Sequence, residues 1–253
     1  MKHSVPHLHS TDYWPYDGGE EARQKRMQEV GIDKLLHEEK HRNYLMGGTW
    51  KLEPTEIEKI ELDEVAYFSL CPKTHADKIT QGIVSLLQSH DLNPKQMTIT
   101  DGCAGVGGVS MSLIVSNMFK KVISVEMDQG RAKLLTTNIH AIQRRDNSTE
   151  IEIQQNNYLD AMQTLEQDVV FFDPPFGGPG YKYYKNAVLF LGGKHMADIA
   201  NELFTKSKTK YVLIRTPENF CENYFKSKLD KHLHCYEYLK LDTTNVFLVQ
   251  KKP

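Results

Sequence analysis

From residue 67 onward the apolar positions switch between two spacings. Three-to-four-residue repeats predict helices over 77–89, 109–119, 130–143, 194–206 and 221–229. Short apolar, β-branched runs between them predict strands over 97–101, 121–127, 151–155, 169–172 and 211–214. The run V-V-F-F at 169–172 has no polar member, as a strand covered on both faces requires. Alternating helices and strands predict a mostly parallel sheet with helices on both faces. Two last strands, 235–241 and 246–250, are separated by only a few residues. A parallel crossover needs about a dozen, so this pair must form an antiparallel hairpin. Upstream the pattern differs. A helix is predicted over 20–42 from Met27, Val30, Leu35 and Leu36, and 44–62, with Gly47, Gly48 and Pro54, reads as a loop-rich connector. The expected organisation is a polar, partly helical extension over 1–66 and one α/β domain over 67–253.

Composition narrows the classes. The chain has 253 residues, 40% hydrophobic and 25% charged, which suits a globular α/β domain with a good core. No apolar run approaches the roughly 20 residues that cross a bilayer. The histidine-bearing N-terminus (His3, His7, His9) is not a secretory leader and reads as a polar tail. An intracellular protein is expected, nuclear or cytoplasmic and not secreted, acting as a monomer without a membrane. Cys71, Cys103, Cys221 and Cys235 lack metal-ligand spacing, so reduced thiols and no metal are expected. The formal net charge of -2 argues against a long nucleic-acid track but suits a small nucleic-acid feature held by local contacts.

A mainly parallel sheet ending in a hairpin resembles the seven-stranded, Rossmann-like fold of class I methyltransferases, which use S-adenosylmethionine. In open α/β sheets ligands bind at the carboxyl ends of the strands. The first strand runs into D-G-C-A-G-V-G-G at 101–108. There Gly105 and Gly107 permit close backbone approach, and the helix N-terminus beyond favours a carboxylate. Asp101 is a candidate acceptor for the cofactor's ammonium group. Glu126 ends the next strand roughly twenty residues after the glycines, where a carboxylate accepts both ribose hydroxyls. Asp128 is the weaker candidate for that role. After the third strand, Asn156 or, preferably, Asn157 would read the adenine edge, the alternative being a solvated turn.

The fourth strand ends in D-P-P-F at 173–176. Two prolines fix φ and remove two N–H donors, which turns the carbonyl groups of Asp173 and Pro174 into available acceptors. With the Asp173 carboxylate they would hold an amino group and aim its lone pair, so catalysis would rest on positioning. An aspartate has a reference pKa of about 3.9, which makes it a poor general base and a better hydrogen-bond acceptor. Phe176 would stack on the base that carries the amine.

Three segments resemble the trimethylguanosine synthases, which methylate N2 of the 7-methylguanosine RNA cap. D-G-C-A-G-V-G-G is similar to that family's D-x-x-C/A-G-V-G-G. P-P-F-G-G-P-G-Y at 174–181 is similar to S-P-P-W-G-G-P-x-Y, and Y-F-S-L-C-P at 67–72 to W-F-S-x-T-P. The resemblance implies that Phe176 stacks on the 7-methylguanine and that Tyr181 contacts the cap phosphates. It also implies that Phe68, Ser69 and Pro72 close over the cofactor, with Trp50 a candidate lid. Lys182, Lys185 and Arg215 are expected near strand ends, where cations could meet a triphosphate. Two positions depart from the family: Asp173 stands for its serine and Phe176 for its tryptophan. D-P-P-F also resembles bacterial ribosomal-RNA guanine-N2 methyltransferases. The competing readings are a guanine-N2 or adenine-N6 methyltransferase of structured RNA or DNA, and a cap- or RNA-binding module without catalysis.

Overall fold

In a computed structural model, residues 44–252 are described except 46, 178–180 and 182–184. The helix expected over 20–42 and the tail histidines lie outside the described residues. Seven strands form one sheet: β1 (Thr98–Asp101), β2 (Lys121–Glu126), β3 (Glu150–Gln155), β4 (Val169–Phe172), β7 (Tyr211–Pro217), β8 (Leu233–Lys240) and β9 (Thr244–Lys251). Their order is β3-β2-β1-β4-β7-β9-β8. The first five are mutually parallel, and β9 runs antiparallel to both β7 and β8. The second strand of the C-terminal hairpin thus inserts between β7 and β8. This is the Rossmann-like methyltransferase arrangement that the alternation implied.

The helices in chain order are α1 (Pro54–Ile57), α2 (Ala66–Ser69), α3 (Lys73–Ser89), α4 (Gly108–Val115), α5 (Gln129–Ile142), α6 (Tyr158–Ala161), α7 (Met196–Lys206) and α8 (Glu222–Lys228). Side-chain alternation along the strands divides the core in two. Val169, Phe171 and Leu213 join the cluster under α3, α4 and α5, whereas Val170, Phe172 and Ile214 join the one under α6, α7 and α8. All four residues of β4 are fully buried, which is why this strand carries no polar position. No described helix is long and apolar enough to cross a membrane.

Several boundaries differ from expectation: the helix expected over 109–119 ends at Val115, and three further shifts bear on the site and its surroundings. The helix predicted from 194 starts at Met196. Gly192 and Gly193 adopt φ of 56° and 78° and fold the chain into a hairpin of β5 (Phe190–Leu191) and β6 (Lys194–His195). His195 then caps α7, its Nδ1 accepting from the Ala197 amide at 3.1 Å. Strand β7 extends past 214 to Pro217 and so takes in Arg215. Helix α3 begins four residues early, behind Pro72, and its first turn carries a buried Lys73–Asp77 ion pair. Asp77 also accepts the Trp50 amide at 3.1 Å.

The described residues before α3 pack on this same core. Leu45 and Leu52 belong to the α3 cluster. Arg144 grips both oxygens of Glu56 at 2.9 Å. The buried Asn138 amide pairs with both backbone groups of Glu61 (2.7 and 2.8 Å) and donates to the Val106 carbonyl at 2.8 Å, linking the connector to the glycine turn.

Candidate active site

A cleft of about 230 Å³ opens at the carboxyl ends of β1, β2 and β4. Asp101, Gly105, Glu126, Asn156, Asn157 and Asp173 all line it, and Pro175 joins them. Asp173 of the chemical end therefore opens on the same space as Asp101, Gly105, Glu126 and Asn157 of the cofactor end, whereas Pro174, Phe176, Tyr181 and Arg215 lie outside its lining.

At the end of β1, Asp101 is 1% exposed. Its Oδ2 accepts from the Ser110 hydroxyl at 2.7 Å. Its Oδ1 is buried without a hydrogen-bond partner. Burial, with a smaller push from the charge of Asp173, raises its pKa to about 7 against the pull of the Ser110 hydroxyl and the weaker pull of the Cys103 and Ser110 backbone amides. A buried carboxylate with one idle oxygen suits a cationic ligand group, so this residue fits the ammonium end of S-adenosylmethionine. Gly105 has φ of 55°, and a Cβ placed there would meet nothing within 4 Å, so conformation and not crowding requires the glycine. Gly107 is the N-cap of α4 with φ of 104°; it shapes the turn and is not part of the cleft wall.

Glu126 ends β2. Its Oε2 accepts the Gly105 amide at 2.9 Å, and its Oε1 accepts the Asp128 amide at 2.8 Å and lies 3.4 Å from Arg131 Nε. The carboxylate is thereby fixed in the cleft wall. Asp128 instead caps α5 by accepting the Arg131 amide at 2.9 Å. Asn157 caps α6 with its own Oδ1, which accepts the Leu159 amide at 3.0 Å, leaving its NH₂ as the group available to a ligand.

Beyond β4, Pro174 is buried and Phe176 is half-buried against the α7-side core. Asp173 forms an ion pair with Arg215, Nη1 to Oδ2 at 2.7 Å. Burial works hardest against the charge of Arg215, but Asp173, with smaller pulls from Cys71 and Tyr181, outweighs it and the pKa is raised. The guanidinium carbon sits 5.9 Å from the Phe176 ring centroid. Tyr181 meets Phe176 edge to face, with centroids 5.3 Å apart. The structure thus gathers Asp173, Pro174, Phe176, Tyr181 and Arg215 around the end of β4. Lys182 and the Phe68 side chain lie outside what is described. Pro72 is the N-cap of α3 and Lys185 is exposed; neither lines the cleft, and neither does Trp50.

Other wall residues escaped the sequence reading: Val65, Leu70, Cys71, Met127, Arg131 and Leu191. Met127 had a signal, being an apolar side chain directly after the acidic end of a strand; it is 62% exposed. Such a surface beside Glu126 suits an adenine face. Leu191 had none, since it arrives through the β5–β6 hairpin. Burial pushes the Cys71 thiol up to about 12 and raises Cys103 well above its ordinary value, which disfavours the thiolate form at both. Among the described residues no cluster of histidine, cysteine and carboxylate side chains has the makings of a metal site.

Comparison with known proteins adds a family. The RNA cap guanine-N2 methyltransferases match residues 96–233, more than half of the chain. An uncharacterized protein of Acanthamoeba polyphaga mimivirus is 28% identical over 229 residues, covering 88% of this chain and 78% of that protein. Among solved structures, Escherichia coli yhhF, a methyltransferase by name, is similar with a TM-score of 0.50 at 14% identity, covering 82% of this chain and 97% of that one. At that identity the likeness is one of fold.

Proposed function

Because the chain belongs to the RNA cap guanine-N2 methyltransferase family, with S-adenosylmethionine as methyl donor, we propose that its acceptor is the exocyclic N2 amine of a 7-methylguanosine RNA cap. The first product is then 2,7-dimethylguanosine, and a second turnover on the same nitrogen would give 2,2,7-trimethylguanosine. The observation that carries this reading is the shared cleft: Asp173 and Pro175 open on the same space as Asp101, Gly105 and Glu126.

The chain's own residues have simple tasks. Asp101 holds the ammonium, Glu126 the ribose hydroxyls, and Met127 covers the adenine. S-Adenosylmethionine, when bound, supplies a methyl group on a positively charged sulfur, so a neutral amine suffices as nucleophile. Asp173 and the Pro174 carbonyl accept the two amine hydrogens and so direct the nitrogen lone pair at the methyl carbon. Once methylated, the nitrogen would release its surplus proton to water. Phe176 stacks on the base, and a cationic 7-methylguanine adds a cation–π term. Tyr181, with Lys182 and Lys185, is the candidate contact for the cap phosphates.

The test is methyl transfer from labelled cofactor to a small panel of acceptors. Activity on 7-methylguanosine di- or triphosphate with none on GTP is expected; comparable rates on both would end the cap assignment. A second reading has its own support in Asp173 and Phe176, which stand where the cap enzymes carry serine and tryptophan. It is guanine-N2 methylation within structured RNA, and a steep loss of RNA binding with salt would favour it.

A further inference from the structure

We propose that Arg215 is a positioning residue for methyl transfer, orienting the Asp173 carboxylate and backing the Phe176 ring, and that it is not a ligand of the acceptor's phosphates. The inference rests on the reading that Asp173 receives the acceptor's amine. Strand register brings the pair together. Phe172 and Ile214 are neighbours across β4 and β7, so Asp173 and Arg215 follow side by side just past them. Phe171 and Leu213 point into the α3-side core, so strand alternation turns Asp173 and Arg215 to that same face.

The guanidinium is held at two corners. Nη1 donates to Asp173 Oδ2 at 2.7 Å, and Nε donates to Thr244 Oγ1 on β9 at 3.2 Å. Its Cζ lies 5.9 Å from the centre of the Phe176 ring. One planar group therefore binds Asp173 and lies within cation–π range of Phe176, and a rigid fork holds a carboxylate in a way a flexible ammonium does not. A phosphate ligand must present its donors outward, whereas this side chain is 9% exposed and turned onto Asp173. The pairing leaves the second oxygen of Asp173 for the amine. It also supplies a cation where two carboxylates, Asp101 and Asp173, line one cleft.

The test is a kinetic double-mutant cycle on the full chain. Arg215→Gln and Arg215→Lys are made in the unsubstituted chain and in Asp173→Asn, and melting temperatures are recorded alongside. Expected for Arg215→Gln alone is a kcat about 30–100-fold lower, with KM for acceptor and cofactor changed by less than about threefold. Arg215→Lys should recover about tenfold of that loss, and in the Asp173→Asn background either substitution should cost less than about threefold. An equal loss in both backgrounds would overturn the proposal in favour of a scaffold role. So would a raised acceptor KM with kcat retained, the signature of a phosphate ligand. If Arg215→Gln does not fold, the Arg215→Lys cycle decides by the same criteria. The functional reading fails separately, when the unsubstituted chain methylates something other than a guanine N2. The cycle is then run on that acceptor and reads the same.

Discussion

Asp101 and Asp173 stand at the ends of adjacent strands and face one cleft, yet the fold treats their charges in opposite ways. Asp101 is buried with one oxygen on a serine hydroxyl and the other without a partner, and its pKa is pushed up to about 7. Asp173 is half-buried and has a built-in cation 2.7 Å away. The difference separates two kinds of work. A buried carboxylate left without a cation is costly until a ligand brings one. A carboxylate already paired inside the fold keeps its place whether or not a ligand is bound, which is what aiming a neutral amine demands.

The largest expected effect comes from removing the paired member. Asp173→Ala should lower kcat about 10²–10³-fold, the scale of losing one preorganised polar contact to the reacting group. Calorimetric binding of S-adenosylhomocysteine should hold to within about threefold, as expected when only transition-state contacts are lost. Asp101→Asn should do the reverse, weakening cofactor binding about 10–100-fold as a charge-assisted bond is lost. If both variants lose cofactor affinity alike, the division of labour between the two aspartates is wrong.

Smaller effects sharpen the same contrast. Phe176→Ala should raise acceptor KM about tenfold through lost stacking, and Phe176→Trp should restore it. Smallest is the pH effect. Asp101 binds a proton more tightly folded than unfolded, so its contribution to stability is greatest at acid pH and is lost as pH rises through about 7. Cofactor binding has the opposite sign, since it needs the ionised form. Affinity should therefore rise roughly fivefold between pH 6 and pH 7, while an α-amino group of pKa about 7.7–8.0 stays charged. The rise should vanish in Asp101→Asn, and a slope that survives there would assign the titration to another group.

What could be read without coordinates was whatever depends on local order. The three-to-four-residue repeats marked the helices and the short apolar runs the parallel strands between them, and the short link after β8 required a hairpin. The glycine turn and D-P-P-F declared themselves because strained or donor-free backbone needs particular residue types in sequence. The N-terminal connector was harder. Its ties, Asn138 to Glu61 and Arg144 to Glu56, join residues 77 and 88 positions apart, and no local period reports such pairs.

The amino-acid order by itself determined the α/β alternation, the glycine turn after β1 and the acceptor-rich turn after β4, because each follows from backbone preferences of adjacent residues. Only the folded chain decided that β9 lies between β7 and β8 and that Leu191 reaches the cleft. It also decided that Arg215 turns inward onto Asp173. These depend on the register of strands far apart in sequence, and register is set by which side chains share a core face, a property of the packed sheet as a whole.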